Sequence, residues 1–429
     1  MAIRTDIIEL IKMMRKIVFK KILQSGRKVA MVLLLFIGII ITSLSCSPAP
    51  TKSMIMRQKA IENSPQWQEG QFKNSLKRVD GSLWKMLGSY ISNDAEFTVP
   101  DRPVPTVNRE KKDFSQLPEN GLRVTWLGHS STLVEIDGYR ILIDPVWEKR
   151  VSPISWMGPK RFFAPPLSLN DLPELDVVLI SHDHFDHLDK KTIEALKDRV
   201  PLFAVPLGVG AHLEAWGIDP ARITECDWWD ELKLGKLTLT ATPGRHFSGR
   251  SLISMFANKT LWAGWSMVGP EHRVYYSGDT AMFPGFTEIG DRLGPFDLTL
   301  IEVGAYNRLW TDVHLGPEQA VQAHQMVRGK LMMPVHWGTF DLALHNWTEP
   351  AERLIVAAGD SGSSLVFPKP GESIDPKTVP MMTRWWPELP WQKAEDAPIV
   401  STGLNNKTLT GITENQMFQD EKPLQTHPL

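Results

Sequence analysis

Apolar residues come first as one unbroken block and later as short runs broken by polar residues. Residues 29–44 read VAMVLLLFIGIIITSL, with no charge over 16 positions. Residues 47–75 are polar and read as a tether. Leu83, Trp84, Met86, Leu87, Tyr90 and Ile91 fall at helical spacing and predict a helix packed on the main body. Pro100, Pro103 and Pro105 then predict an extended linker. From Gly121 the pattern becomes that of strands. Residues 122–127 are one, and 132–136 and 139–143 flank Asp137-Gly138, a two-residue hairpin signal. Further strands are predicted at 176–180, 202–205, 261–268, 273–277, 298–303 and 331–336, with alternation along 232–242. Helices are predicted at 192–197, 211–216 and 317–327, the last opened by Pro317. Strands first, then strands mixed with helices, imply an α/β layered fold with mixed sheets. The organisation is 1–46 signal or anchor, 47–114 tether and N-terminal extension, 115–373 main domain, and 374–429 a Pro-rich C-terminal extension, partly disordered past residue 400.

Composition narrows the chemistry. The 429 residues are 42% hydrophobic and 22% charged, which is ordinary for a globular protein. With two cysteines, Cys46 and Cys226, neither a disulfide scaffold nor a thiolate metal site is open to it. Residues 1–28 hold eight Lys/Arg and two Asp/Glu, so with a formal net charge of -2 the rest of the chain carries -8. An acidic body argues against nucleic acid as a partner. A basic flank before an apolar stretch is the pattern of an export signal. The stretch ends in Ser43-Leu44-Ser45-Cys46, which resembles a bacterial lipoprotein box and implies a lipidated Cys46. Ser43 departs from that pattern, so an uncleaved signal-anchor is the alternative. Either way, the expected location is the bacterial cell envelope, membrane-anchored, with the body outside the cytoplasm.

Residues 181–189 read SHDHFDHLD, placing His182, His184, Asp186 and His187 directly after an apolar strand. Imidazole and carboxylate at this density suit a divalent transition metal. Three distant residues also follow predicted strands: His246 after 237–242, Asp279 after 273–277 and His336 after 331–335. Taken singly, a polar residue at a strand end is more often a satisfied structural group than a ligand.

The H-x-H-x-D-H element resembles the metallo-β-lactamase superfamily. Trp126-Leu127-Gly128-His129, Met157-Gly158-Pro159-Lys160-Arg161, Asp227-Trp228-Trp229, WAGWSMVGP (262–270), Gly278-Asp279-Thr280 and His336-Trp337-Gly338-Thr339-Phe340 follow the order found in its N-acyl-phosphatidylethanolamine phospholipase D branch. The resemblance spans about residues 115–370 and implies an αββα sandwich of two mixed β-sheets with outer helices. It implies two zinc ions, although iron or manganese suits the same donors. His182, His184 and His246 would hold the first and Asp186, His187 and His336 the second, with Asp279 bridging. Asp186, Asp279 and His314 are the expected catalytic residues. Asp144 and Asp189 are expected to brace the ligand loops, and His129 to brace or to serve structure alone. Phe185 replaces a Tyr common in the family. Among the basic residues, Arg245 and Arg250 are the candidates for holding an anionic lipid, while Lys160 and Arg161 read as surface charges. The implied partners are a phospholipid substrate and a membrane, with a homodimer as one open assembly. The implied activity is phospholipase D-type hydrolysis. The alternatives are another hydrolase on the same metals, acting on a sugar-phosphate lactone or a different phosphodiester, and a non-enzymatic envelope lipoprotein.

Overall fold

A computed structural model describes residues 51–78, 95–250, 257–378 and 383–403. The signal segment, Cys46, the 83–91 apolar cluster and everything past 403 lie outside the described residues. The chain divides into Met1–Ile55 and Met56–Leu429. Of the first unit only the opening residues of a helix, α1 (Lys52–Asn63), are described. No described helix is long and apolar enough to cross a membrane.

The second unit is built on two seven-stranded sheets. After a two-stranded ribbon, β1 (Trp67–Gln68) and β2 (Gln71–Phe72), come β3 (Leu122–Gly128), β4 (Ser131–Ile136), β5 (Tyr139–Ile143), β6 (Val177–Leu179), α2 (Lys190–Leu196), β7 (Phe203–Pro206), α3 (Gly210–Ala215) and β8 (Ile223–Cys226). The second half holds β9 (Glu231–Leu234), β10 (Leu237–Thr242), β11 (Gly264–Val268), β12 (Arg273–Tyr276), α4 (Gly285–Leu293), β13 (Phe296–Glu302), α5 (Pro317–Met326), β14 (Gly329–Val335), α6 (Glu349–Ser361), β15 (Ser364–Leu365) and β16 (Ser373–Ile374). One sheet runs β16-β3-β4-β5-β6-β7-β8 and the other β15-β14-β13-β12-β11-β10-β9. Each mixes antiparallel pairs, such as the β3–β4 and β4–β5 hairpins, with parallel pairs, such as β12–β13 and β13–β14, whose strands helices α4 and α5 connect.

Strand alternation sorts the side chains. Ile141 and Ile143 of β5 face a core shared with Leu239, Trp265 and Leu298 of the other sheet. Leu142, between them, joins Ile193 and Leu196 of α2 and Leu213 of α3 in a separate outer cluster. Both faces are therefore buried, which is the layered sandwich expected. The Asp137-Gly138 hairpin forms with φ of 47° and 93°, the pair of positive values a type I′ turn demands.

Some elements differ from the sequence expectation. The run 232–242 is two strands, because Leu234 and Leu237 are three apart and break the two-residue period; Gly235 turns the chain at φ 56°. Residues 261–263 precede β11 rather than belonging to it. The segment read as a tether holds α1 and the β1–β2 ribbon, and Arg57 pairs with Glu214 (2.7 Å) and with Glu225. The segment after 373 is also engaged. Trp386 is 5% exposed, stands edge-on to Trp337 at 5.3 Å and donates to Glu352 Oε1 at 2.7 Å.

Candidate metal centre

Every expected ligand sits just past a strand end. The loop after β6 carries His182, His184, Asp186 and His187; His246 follows β10, Asp279 follows β12 and His336 follows β14. They gather into two clusters whose donor atoms each lie within 4.8 Å of one another, His182, His184, His246 and Asp279, and His129, Asp186, His187 and His336, while Asp279 and His336 also form a third with Glu302 and His314. His129, expected to brace or to serve structure alone, thus stands inside the second cluster, its Nε2 3.1 Å from Asp186 Oδ2. Asp279 Oδ2 joins the two, at 3.8 Å from His182 Nε2 and His246 Nε2, 3.2 Å from His187 Nε2 and 3.1 Å from His336 Nε2.

Hydrogen bonds aim the imidazoles. His187 Nδ1–H donates to Asp144 Oδ2 at 2.7 Å, and His246 Nδ1–H to the Val313 carbonyl at 3.0 Å. Each bond leaves an Nε2 lone pair facing the centre, the arrangement in which a histidine ligates. His182 Nε2 and His246 Nε2 then converge on His184 Nδ1 at 2.8 and 3.3 Å. Three ring nitrogens turned on one point repel unless a cation or proton lies between them. His184 Nε2, His187 Nε2, His336 Nε2 and Asp279 Oδ1 are buried without a hydrogen-bond partner. The donor set fits two divalent cations sharing Asp279.

The electrostatics agree. Burial, then neighbouring histidines, hold His182 well below the ordinary histidine range, which keeps it in the neutral ligating form. Burial would also lower His336, but the Asp279 and Asp186 carboxylates overcome it and push it up to about 10. His187 is raised by the same carboxylates against its burial. Asp279 stays far below the usual carboxylate range although burial opposes this, because His187 and His336 face it. The pocket draws positive charge, which bound cations would supply.

Bracing residues surround the donors. Asp144 accepts from Ser181 N (2.7 Å), Ser181 Oγ (2.6 Å) and Tyr276 Oη (2.5 Å) as well as from His187. Asp189 holds no ligand ring; its oxygens take Trp147 N, Glu148 N, Lys191 N and Thr192 Oγ1, which fixes the end of the loop at α2. His129, Asp144 and His336 have φ of 54°, 39° and 64°, a left-handed backbone that costs roughly 1–3 kcal/mol per residue and gathers at functional sites. His314 Nδ1 lies 2.8 Å from Glu302 Oε2 and 3.9 Å from Asp279 Oδ2. Glu302 also takes Thr280 N (2.7 Å) and Leu315 N (3.2 Å), a role the sequence reading missed. Its signal was a lone carboxylate at the end of the apolar strand β13.

The candidates for anionic lipid are corrected. Arg245 is 1% exposed and forms a two-point pair with Asp312 at 2.8 Å through both terminal nitrogens. Ser401 Oγ and Thr402 Oγ1 reach the same carboxylate at 2.9 and 2.6 Å. Arg245 therefore anchors the C-terminal segment beside His246 and has no face for a substrate. Asn74 clasps the same loop, its side chain bonding both His246 N (3.0 Å) and His246 O (2.8 Å). Arg250 Nη1 donates to the carbonyls of Asp183, His184 and Leu188. Arg161, read as a surface charge, is 6% exposed because its guanidinium lies over Phe163 and Phe340 and donates to Val146 O at 2.8 Å.

Residues 139–337 match the beta-lactamase superfamily domain. The chain is 45% identical over 341 residues to an uncharacterized protein of Mycobacterium tuberculosis, covering 76% of this chain and 88% of that one. It is 38% identical over 269 residues to N-acyl-phosphatidylethanolamine-hydrolyzing phospholipase D 1 of Caenorhabditis elegans, covering 60% and 74%. It is 31% identical over 255 residues to a UPF0173 metal-dependent hydrolase of Pyrobaculum aerophilum, covering 58% and 98%. Two mixed sheets with flanking helices, and ligand clusters on their loops, define the metallo-β-lactamase fold. The chain belongs to the metallo-β-lactamase superfamily and is a metal-dependent hydrolase.

Proposed function

We propose that the protein is a phosphodiesterase of phospholipase D type, hydrolysing N-acyl-phosphatidylethanolamine to phosphatidic acid and an N-acylethanolamine. The observation that carries the hydrolytic part is the single Asp279 carboxylate, whose Oδ2 faces His182 and His246 of one cluster and His187 and His336 of the other. The lipid part rests on the 38% identity to a phospholipase of that specificity. It is supported by an apolar cluster of Ala305, Leu309, Trp310, Val313, Leu342, Ala343 and Leu344. These residues lie just before His314 and shortly after His336, where an acyl chain would need a wall.

His182, His184, His246 and Asp279 would hold one cation, and Asp186, His187, His336 and Asp279 the other, zinc being the ion we favour over iron or manganese. Bound there, such ions supply Lewis acidity toward a phosphoryl oxygen and acidify a water. In the hydrolysis, water attacks phosphorus, the bond to the N-acylethanolamine oxygen breaks, and that oxygen takes up a proton. Asp186, whose side chain is 16% exposed, is the carboxylate that orients the attacking water. His314, with Nδ1 fixed by Glu302, offers Nε2 to hold or pass the proton at the leaving oxygen. The basic flank, apolar stretch and Cys46 at the N-terminus support a membrane tether at the cell envelope, which would confine the enzyme to the surface where its substrate lies.

The test is turnover of purified protein on N-acyl-phosphatidylethanolamine, plain phosphatidylethanolamine, a sugar-phosphate lactone and bis-p-nitrophenyl phosphate. Release of N-acylethanolamine is expected. Turnover of the lactone alone would remove the phospholipase reading, and absence of hydrolysis by metal-loaded protein would remove the enzyme.

A further inference from the structure

The ligand loop has two sides. His182, His184 and Asp186 contribute to the cation clusters, while Asp183 and Phe185, the residues between them, turn to other partners. Asp183 is 3% exposed, takes Gly249 N at 2.8 Å and lies 3.3 Å from His212 Nε2. Phe185 meets the guanidinium of Arg250 at 4.2 Å, and Trp216, just past α3, approaches the same group at 5.2 Å. Between these rings Arg250 Nη1 reaches the carbonyls of Asp183 (2.6 Å), Leu188 (2.6 Å) and His184 (3.3 Å).

We propose that Arg250 is a positioning residue for the cation-binding loop: clamped by Phe185 and Trp216, it fixes the carbonyls on both sides of His184, Asp186 and His187 and so sets the directions of their donor atoms. The proposal rests on the reading that this loop holds cations. A positive charge so near a cation site is electrostatically adverse, so it must be balanced, and the buried Asp183 carboxylate provides that balance. Arginine suits the place better than lysine because a planar guanidinium stacks on rings while its edge donates. The same contacts leave the group poorly disposed to bind a phosphate.

The test uses the full chain, stripped of metal and reloaded with zinc, as wild type and as Arg250→Met, Arg250→Lys and Phe185→Leu. Three quantities are read: the rate of zinc release to a coloured chelator, kcat and KM on bis-p-nitrophenyl phosphate, and thermal unfolding of the stripped protein. Arg250→Met is expected to release zinc roughly 10–100-fold faster, the range for residues that orient metal ligands. KM should stay within about twofold, since the substrate phosphate is not what Arg250 holds. Arg250→Lys should recover part of the loss. Phe185→Leu, which keeps the charge and removes one ring, should release zinc several-fold faster and still fold, so the question survives if Arg250→Met does not fold. Wild-type release from Arg250→Met or from Phe185→Leu, or a tenfold rise in KM with release unchanged, overturns the proposal alone. A wild-type chain that takes up no zinc overturns the metal reading and this proposal with it.

Discussion

Asp279 Oδ2 and His336 Nε2 meet at 3.1 Å, joining the loop after β12 to the loop after β14. The same oxygen serves the other cluster, so removing its charge should disable both. Asp279→Asn keeps the shape and loses the shared anion. Hydrolysis of bis-p-nitrophenyl phosphate is expected to fall by more than about 100-fold, and zinc content per chain should drop in the same preparation. Full activity with normal zinc content would refute the bridging role.

Glu302 tests the bracing behind His314. Glu302→Gln leaves a side chain of the same length but without the charge that holds His314 Nδ1 at 2.8 Å. A drop in kcat of roughly 10–100-fold with little change in KM is expected. Unaltered kcat would show that His314 needs no such partner.

Trp386 tests whether the C-terminal segment belongs to the core. It is 5% exposed and packs on Trp337 and Phe367, with ring centroids 5.3 and 5.1 Å away. Trp386→Ala should cost about 3–5 kcal/mol, the usual price of removing a large buried ring, read from the urea midpoint. A cost below about 1 kcal/mol would fit a surface residue instead.

His324 gives a pH dependence separate from the metal centre. It lies in the last turn of α5, 2% exposed, with Nδ1 2.8 Å from Thr299 Oγ1. Burial lowers it from 6.5 to about 4. Between these values the unfolded chain binds the proton and the folded chain does not, so stability is lost as pH falls through that window. The size is about 3 kcal/mol by linkage. Comparing wild type with His324→Gln at pH 7 and pH 4.5 isolates it: the wild type should lose more stability on acidification than the variant. Equal losses would assign the acid sensitivity elsewhere.

Most of the metal centre was legible because each donor follows a strand, and strand ends are where alternation and turn signals are sharpest. His246, Asp279 and His336 are far apart in sequence, yet each marks the end of an apolar run. The bracing groups were harder to read. Arg245 and Arg250 look like ligands for an anion when only charge and proximity to His246 are considered. Their actual partners, Asp312 with Ser401 and Thr402 for one and three loop carbonyls for the other, are set by tertiary packing. Helix α6 was overlooked although Pro350 at its start and Gly362 at φ 71° beyond its end are both signals. Residues 47–75 read as a tether because polar composition reports exposure on average, and the Pro-rich composition after 373 gave no sign of contacts with the core, whereas Arg57 and Trp386 are held by specific partners.

The Asp312 corner bears on the order in which the protein matures. Ser401 and Thr402 complete the hydrogen bonding of a carboxylate that is wholly buried. A ribosome delivers them only after the last described strand, which ends at Ile374. A nascent chain can thus finish both sheets while the corner next to His246 still lacks two of its donors. A chain that ended short of Ser401 would leave that carboxylate, paired with Arg245 beside His246, without two of its hydrogen-bond donors.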